Sequence, residues 1–519
     1  MKPKIILENN WSEIYNLPLH IVDDKKRCIG DILYDEVAYE IAGARFIRMN
    51  RPNWDAKIHL YKKIKKSNSE GKFLTGLFAR VITIVHEHTG IIPDVVDNRI
   101  IPEKTLDLTW NEKDFKIRDY QSKVITSALT KGRGILELCT GSGKTIIASK
   151  LIQEIGISPF IFYVLTKDLM YQSKQRLESS IIGLDVGIIG DGKCEIRDVN
   201  VMTIQTATTA YNENRGLSSE LKKLDWDDDE IELLKTEDLS HVKKRKDDIK
   251  KLIEEAKGIF FDEVHHSASK TCQKTIEKST KSYYLFGGSA TPRRSDNAEM
   301  MIEGLFGRNI GKITASDLIR KGFLVKPDIY YVKLKNPKVR VDNYEDDYKK
   351  NIMENEERND VIASLANRLK DQNYNTLILI QRIEHGNLLN EKIPGSVFIH
   401  GKTSQKIRTQ SLEDLKNGKI KVLIGSTIAD EGLDISTLSA LIMAGGGKSS
   451  NRAKQRVGRV IRTSAGKTKA LVFDFHDKGQ FVGKHAKSRF NILKEEEEFN
   501  MQSINYFDEN IKGTVKRLF

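Results

Sequence analysis

The chain has 519 residues, 39% hydrophobic and 30% charged, with 85 Lys and Arg against 72 Asp and Glu for a formal net charge of +13. At ~100–200 residues per domain this length predicts about three domains, and the apolar share excludes an intrinsically disordered chain. The four cysteines, Cys28, Cys139, Cys194 and Cys272, lie far apart and form no CxxC pair, which argues against a zinc site or a disulfide framework. No apolar run approaches the ~18 residues that span a bilayer, and no signal-peptide core opens the chain, so a soluble cytoplasmic protein without a membrane partner is expected. The positive excess suits a polyanionic partner without establishing one.

Residues 1–105 mix strand and helix signals: the apolar IAGARFIRM, a turn at Arg51-Pro52-Asn53, then KIHLY and the amphipathic GLFARVITIVHEHTG. They predict a small α+β accessory domain. Over 106–327 short β-branched runs, FIFYVL, VNVMTI and GIFFDE, alternate with helical stretches, the pattern of a parallel sheet built from βαβ units. Within it, 213–257 is highly charged with leucines at helical spacing. It reads as a two-helix insertion, either a solvated hairpin or an element that grips a duplex or partner. Phe306 to Pro327 reads as a helical connector. Five more strand candidates, TLILI, SVFIHG, KVLIGS, ALIMAG and KALVFDF, predict a second α/β domain over 328–480. A helical tail, 481–519, follows, with KEEEEF expected on an exposed helix face. The predicted fold class is α/β, with two tandem parallel-sheet domains behind a small α+β domain.

The strongest local signal is LELCTGSGKT, where a β-like run enters a glycine-bearing turn and a helix follows. Such a turn presents backbone N–H groups and a helix N-terminus to a phosphate. Thr140, Gly141, Ser142 and Gly143 would form the cradle, Lys144 would reach the β and γ oxygens, and Thr145 would offer its hydroxyl to Mg²⁺. Leu138 stands where the usual string begins with glycine. Further on, KGIFFDEVHHS delivers an acidic pair to the end of a buried strand. Asp262 would hold Mg²⁺, Glu263 would orient and deprotonate the attacking water, and His265 would hydrogen-bond across the cleft. These residues predict an ATP-hydrolysing site that uses Mg²⁺.

The second α/β domain brings AKQRVGRVIR, in which Gln455, Arg459 and Arg462 would line one helical face. Arginines inserted from a facing domain can neutralise transition-state charge, an effect worth roughly 10³- to 10⁵-fold in comparable enzymes. The alternative is a basic surface helix.

In order and over roughly residues 115–480, this string of motifs resembles the superfamily 2 DExH-box helicases, whose core is a pair of RecA-like domains. By that resemblance IRDYQ matches the adenine-reading motif, implying stacking by Tyr120 and a base contact by Gln121. VLTKDLMYQ and VMTIQT resemble motifs Ia and Ic, which makes Thr166, Gln172, Thr203 and Gln205 candidate phosphate-backbone contacts. SATP resembles motif III and implies that Ser289 and Thr291, with His265, couple hydrolysis to strand contacts. ILIQRIEH, IHGKT and IGSTIADEGLDI resemble motifs IV, IVa and V. They imply backbone contacts from Ser426 and Thr427, and nucleotide or coupling contacts from Glu431, Gly432 and Asp434. Hydroxyls and amides position a strand without reading its sequence, and a hydroxyl at a strand end also serves as a helix cap.

FIRMNRPNWDAKIHLY followed by FLTGLFARVITIVHEHTG resembles the front domain of UvsW-type phage recombination helicases. The alternative for Trp54 is a filler of the small domain's core. Arg45, Arg48, Arg51, Lys57, Lys62, Lys63, Lys65 and Lys66 are candidates for a duplex-binding face. The resemblance implies remodelling of branched DNA, including forks, Holliday junctions, D-loops and R-loops, with 3′ to 5′ movement. The partners it implies are branched, duplex or single-stranded DNA, an RNA–DNA hybrid, and recombination or single-strand-binding proteins. A monomer is expected, in host cytoplasm if phage-encoded. The rivals are a duplex-RNA sensor or RNA helicase, a motor subunit of a restriction-type complex, and a structural subunit with a vestigial site. The intact motif residues weigh against the last.

Overall fold

The computed structural model describes residues 1–41, 43–51, 54–211, 239–292, 298–335, 341–426, 436–447 and 450–505. The chain forms two compact units, Met1–Leu138 with Gly143–Lys312, and Cys139–Ser142 with Ile313–Phe519. Both are built on parallel sheets, so the α/β class with a small N-terminal α+β part is the architecture observed.

At the N-terminus a mixed five-stranded sheet contains β1 (Lys4–Leu7), β2 (Trp11–Tyr15), β3 (Tyr61–Lys63), β4 (Gly71–Leu74) and β5 (Asp94–Asp97). Its order is β3-β4-β2-β1-β5. Helix α1 (Phe78–Thr89) packs on it through Val81, Ile84 and Val85 and ends at Gly90 in the left-handed region, a glycine C-cap. IAGARFIRM carries a helix, Ala44–Asn50, and KIHLY gives two short strands. This part is not a separate compact unit. The Arg80 guanidinium pairs with Glu303 at 2.7 Å, the Asn10 amide donates to the Glu277 carbonyl at 2.9 Å, and Arg133 donates to the Asn9 carbonyl at 2.7 Å. One apolar cluster runs from Ile5 to Phe306.

The large sheet of the first unit contains β6 (Arg133–Leu138), β7 (Phe160–Val164), β8 (Val186–Gly190), β9 (Lys193–Glu195), β10 (Val199–Thr203), β11 (Gly258–Asp262), β12 (Tyr284–Ser289) and β13 (Asn309–Ile313). The order is β9-β8-β10-β7-β11-β12-β6-β13. Strands β7, β10 and β11 are buried along their whole length, which is why they read as continuous apolar runs rather than alternating ones. The helices that place the motifs are α2 (Asp119–Lys131), α3 (Lys144–Ile155), α4 (Lys167–Ser180), α5 (Ile204–Ala210) and α6 (Leu239–Glu255). Helix α6 is the second half of the expected insertion; 212–238 lies outside the described residues.

In the second unit seven parallel strands, β14 (Pro327–Lys333), β15 (Thr376–Leu379), β16 (Val397–Ile399), β17 (Val422–Gly425), β18 (Ala440–Ile442), β19 (Ala470–Phe475) and β20 (Asn500–Asn505), follow the order β16-β17-β15-β18-β19-β14-β20. The five expected strands all form. The expected connector instead contains β13 and helix α7 (Ala315–Arg320), so the units divide at Lys312–Ile313 rather than at 327. The tail also differs from expectation. After helices α8 (Glu356–Asp371) and α9 (Ser450–Val460), helix α10 (Val482–Lys494) ends before the acidic run, and β20 then joins the sheet beside β14. The glutamates are used as clamps: Glu496 accepts from the Ser316 N–H and hydroxyl at 3.2 and 2.9 Å, Glu495 pairs with Lys454, Glu497 with Arg320 and Glu498 with Lys326.

Candidate nucleotide site and strand-facing edges

Three adjacent parallel strands end together at the phosphate loop. Register pairs Asp262 with Gly288 and Ser289 with Glu137, so the carboxyl ends of β11, β12 and β6 lie level. That edge is where open parallel sheets bind ligands. Leu138 closes β6 as a buried core residue, 1% exposed, so the departure from glycine there leaves the turn itself intact. Gly141 and Gly143 adopt φ of 88° and 82°, the left-handed region where a side chain is strained. A Cβ on Gly143 would stand 2.5 Å from the Gln121 amide nitrogen, so a larger residue there would also have to displace the Gln121 side chain. Gly143 caps α3, whose first residues are Lys144 and Thr145.

The Lys144 ammonium sits 2.5 Å from Asp262 Oδ1 and 2.8 Å from Glu263 Oε1. Burial works against the Lys144 charge, but the two carboxylates outweigh it and hold its pKa above the usual lysine range. Burial also pushes Asp262 up, against the pull of Lys144. For Glu263 burial is overcome by Lys144 and His265, together with hydrogen bonds from Lys144 and Ser289, and its pKa falls to about 2. Glu263 is therefore a carboxylate at neutral pH. Its backbone is left-handed, φ 53° and ψ 56°, a conformation costing about 1–3 kcal/mol in a non-glycine residue.

The Ser289 hydroxyl donates to Glu263 Oε2 at 3.0 Å, lies 3.1 Å from His265 Nδ1, and accepts from the Thr291 N–H at 3.2 Å. Sequence reasoning named all four residues; the structure joins them into one network. It missed Gly288, whose added Cβ would meet Phe260 Cζ at 2.8 Å and Lys144 Cδ at 3.1 Å. The tandem glycine at a strand end was the available signal.

The expected base-reading pair is held inside the fold. Tyr120 is 6% exposed, with its hydroxyl accepting from Arg118 at 2.9 Å, so its ring does not present the open face that stacking needs. Gln121 is 4% exposed, and its Oε1 accepts from the Arg118 N–H at 3.0 Å, which turns its amide toward Gly143. The spacing of Arg118 and Gln121 is that of a capping box, a signal that could have predicted this orientation. Among the described residues no group of three or more His, Cys, Asp or Glu could by itself hold a metal. Thr145 and Asp262 suit Mg²⁺, which takes few protein ligands and completes its shell with phosphate and water oxygens.

The residues expected to contact a nucleic-acid backbone lie at strand ends and helix starts. Thr166 caps α4 by accepting from Leu169, Thr203 caps α5 by accepting from Thr206, and Gln205 donates to the Leu165 carbonyl at 2.7 Å. β7 and β10 pair Val164 with Thr203, so these residues share one edge, with Gln172 exposed on α4. The hydroxyls of Thr166 and Thr203 are thus helix caps. In the second unit the Ser426 N–H donates to the Ile399 carbonyl at 3.3 Å, placing it beside the IHGKT segment. Thr427, Glu431, Gly432 and Asp434 lie outside the described residues.

Helix α9 (Ser450–Val460) carries Gln455 and Arg459, both half-buried. Arg456 turns inward, 5% exposed, and donates to the Gly446 carbonyl at 3.2 Å. Arg462 is not on the helical face expected for it, because α9 ends at Val460. It lies on the following turn, in an antiparallel bridge with Leu324. In the N-terminal part Trp54 is 38% exposed, so it does not fill the core. Arg48 pairs with Glu40, and Lys63 with Asp31, while Lys62 stands 4.4 Å over the Trp11 ring. No described helix is long and apolar enough to cross a membrane.

Residues 114–294 match the family model for the type III restriction enzyme, res subunit, and 353–464 match that for the helicase conserved C-terminal domain. A putative helicase 22 of Sulfolobus islandicus filamentous virus is 26% identical over 74% of this chain and 68% of its own length. A putative DNA 3′-5′ helicase Rad25 of Halobacterium salinarum is 26% identical over 73% of this chain and 57% of its own. The ATP-dependent DNA helicase uvsW of Enterobacteria phage T4 is 26% identical over 44% of this chain and 47% of its own. The chain thus spans about half to two-thirds of these curated relatives.

Proposed function

Because the chain belongs to the superfamily 2 DExH-box helicases, we propose that it couples ATP hydrolysis to movement along DNA and remodels branched DNA such as forks, Holliday junctions, D-loops and R-loops. The observation that carries the reading is the network at the phosphate loop: one ammonium between two carboxylates, with the second oxygen of Glu263 tied through Ser289 to His265 and Thr291. Bound ATP would supply the anhydride to be cleaved, and Mg²⁺ the positive charge that Lys144 now places against the two carboxylates. Thr145 and Asp262 would hold the cation, the Gly141 to Gly143 turn would cradle phosphate, and Glu263, ionised at neutral pH, would accept the proton of the attacking water. Its link to Ser289 ties it to His265 and Thr291, which in this reading would couple hydrolysis to strand contacts.

On the second unit Arg459 and Arg462, with Gln455, would offset developing phosphate charge, and Gly432 and Asp434 would add nucleotide contacts. Alternating grip by two edges would ratchet a strand past the protein. Those edges carry Thr166, Gln172, Thr203 and Gln205 on one unit and Ser426 and Thr427 on the other. Polarity 3′ to 5′, a monomeric state, a cytoplasmic setting and association with recombination or single-strand-binding proteins belong to the same reading. A DNA rather than an RNA track is favoured by the similarity to the Rad25 and uvsW DNA helicases. The res-subunit match favours one alternative, a restriction-type motor subunit, which would need a partner subunit for DNA-stimulated turnover.

The test is ATP turnover and strand movement on single-stranded DNA, duplex, fork, four-way junction, R-loop and duplex RNA, at two salt concentrations because phosphate contacts are salt-sensitive. Branched DNA should stimulate most. Lys144→Ala and Glu263→Gln should abolish turnover while keeping DNA binding, and DNA-stimulated turnover surviving in both would end the assignment.

A further inference from the structure

Past α9 the chain turns through Ser464 to Lys467, closed by the Lys467 N–H donating to the Ser464 carbonyl at 3.1 Å, with Gly466 at φ 75° supplying the reversal. That reversal sends the half-buried Lys467 side chain back under the end of the helix. Its ammonium donates to the main-chain carbonyls of Leu438 at 2.5 Å, Arg462 at 2.7 Å, Ser436 at 3.3 Å and Val460. Four oxygens thus surround a group with three N–H donors. The Val460 carbonyl belongs to the last turn of α9, where acceptors have no partner within the helix and a cation is favoured. The other side of the turn is fixed independently, by the Val325 N–H donating to the Ile461 carbonyl at 2.8 Å and by the Leu324–Arg462 bridge.

We propose that Lys467 is a positioning residue for Arg462: by tying the Arg462 carbonyl to the end of α9 and to the Ser436–Leu438 segment that leads into β18, it fixes the direction in which the arginine leaves the backbone. The ammonium touches neither nucleotide nor nucleic acid in this role. It acts through the peptide that carries the guanidinium, and it also joins the exit of the IGSTIADEGLDI segment to the exit of QRVGRVIR. A phosphate-facing arginine is effective only when preorganised, since displacement by about 1 Å can cost about 10²-fold in rate. Lysine suits the task because its three donors rotate to meet carbonyls on separate segments. The proposal rests on the reading of Arg462 as a phosphate-facing group.

The experiment compares Lys467→Met, Lys467→Arg and Arg462→Ala, with the Lys467→Met/Arg462→Ala double variant, in the full chain. The readouts are kcat and KM for ATP with saturating DNA, and DNA affinity without nucleotide. Lys467→Met should lower kcat by about 10- to 100-fold with KM for ATP and DNA affinity within about threefold. Lys467→Arg should recover most of the loss, and the double variant should be no slower than Arg462→Ala. Normal kcat in Lys467→Met beside a dead Arg462→Ala would overturn the positioning role and leave the motor reading standing; multiplying losses in the double variant would also overturn it. Full turnover in Arg462→Ala would instead remove the reading on which the proposal rests. If Lys467→Met does not fold, Lys467→Gln, which keeps an amide donor, enters the same comparison.

Discussion

Replacing Arg489 by Met should unfold the second unit well before the first. Arg489 is 1% exposed and bonds Asp474 through two nitrogens, at 2.9 and 2.8 Å, with Asp477 at 3.5 Å and the Gly447 carbonyl at 3.1 Å. Arg358, fully buried, bonds Asp477 at 3.0 Å and the Ala444 carbonyl at 2.6 Å. The four charges cancel. Methionine preserves much of the arginine stem's volume but leaves two buried carboxylates facing one guanidinium, and breaking such a pair costs ~3–5 kcal/mol. At ~2–4 °C per kcal/mol for a domain of this size, the unit's midpoint should fall by about 10 °C. Urea and thermal unfolding followed by a probe in the second unit would measure it. The loss should shrink toward acid, because burial already pushes Asp477 up and an unpaired carboxyl there takes a proton more readily. Arg489→Met/Asp474→Asn should recover part of the loss. A single-variant change below about 1 kcal/mol, or a double variant worse than the sum of its parts, would refute the account.

Gly288→Ala should lower ATP turnover and destabilise the first unit by about 1–3 kcal/mol, as an added methyl would press on Phe260 and Lys144; steady-state ATPase and denaturant titration check both. Gly143→Ala should abolish nucleotide binding measured by calorimetry, since it meets a left-handed backbone and the Gln121 amide together. His385, fully buried with Nε2 2.9 Å from Asn359 Oδ1, has its pKa lowered to about 3 by burial and by Arg358. The unfolded chain then binds a proton that the folded one refuses. Stability is whole above the unfolded value near ~6.5 and falls as pH drops toward about 3, by up to ~1.4 kcal/mol per pH unit. In His385→Gln the pH slope of unfolding between those values should flatten, and an unchanged slope would count against it.

The parts legible in the sequence were those encoded by local pattern. Apolar runs of four to six residues became buried strands because parallel sheets cover both faces, and LELCTGSGKT and GIFFDEVHH each marked a strand end, whereas the adjacency of those strands through β12 is set by the sheet order. What stayed hidden depends on contacts between distant segments. Nothing near Lys467 announces that its ammonium meets the carbonyl of Ser436, and KEEEEF looks like a solvated helix face until Ser316, Arg320, Lys326 and Lys454 are brought against it. Helical periodicity carried Arg462 one turn too far because the end of α9 is set by a bridge to Leu324, more than a hundred positions earlier. Tyr120 was assigned to a base by resemblance, whereas its own burial is decided by packing around α2.

The sheet order of the second unit also bears on how the protein is made. Strand β14, the earliest of its seven, lies between β19 and β20, the latest. On the ribosome β14 must therefore wait for its first neighbour until β19 has emerged and for its second until β20 has, and β6 of the preceding sheet waits comparably for β12 and β13. A nascent chain stalled before Asn500 would therefore present one open parallel edge on β14, an exposed template for pairing with another chain.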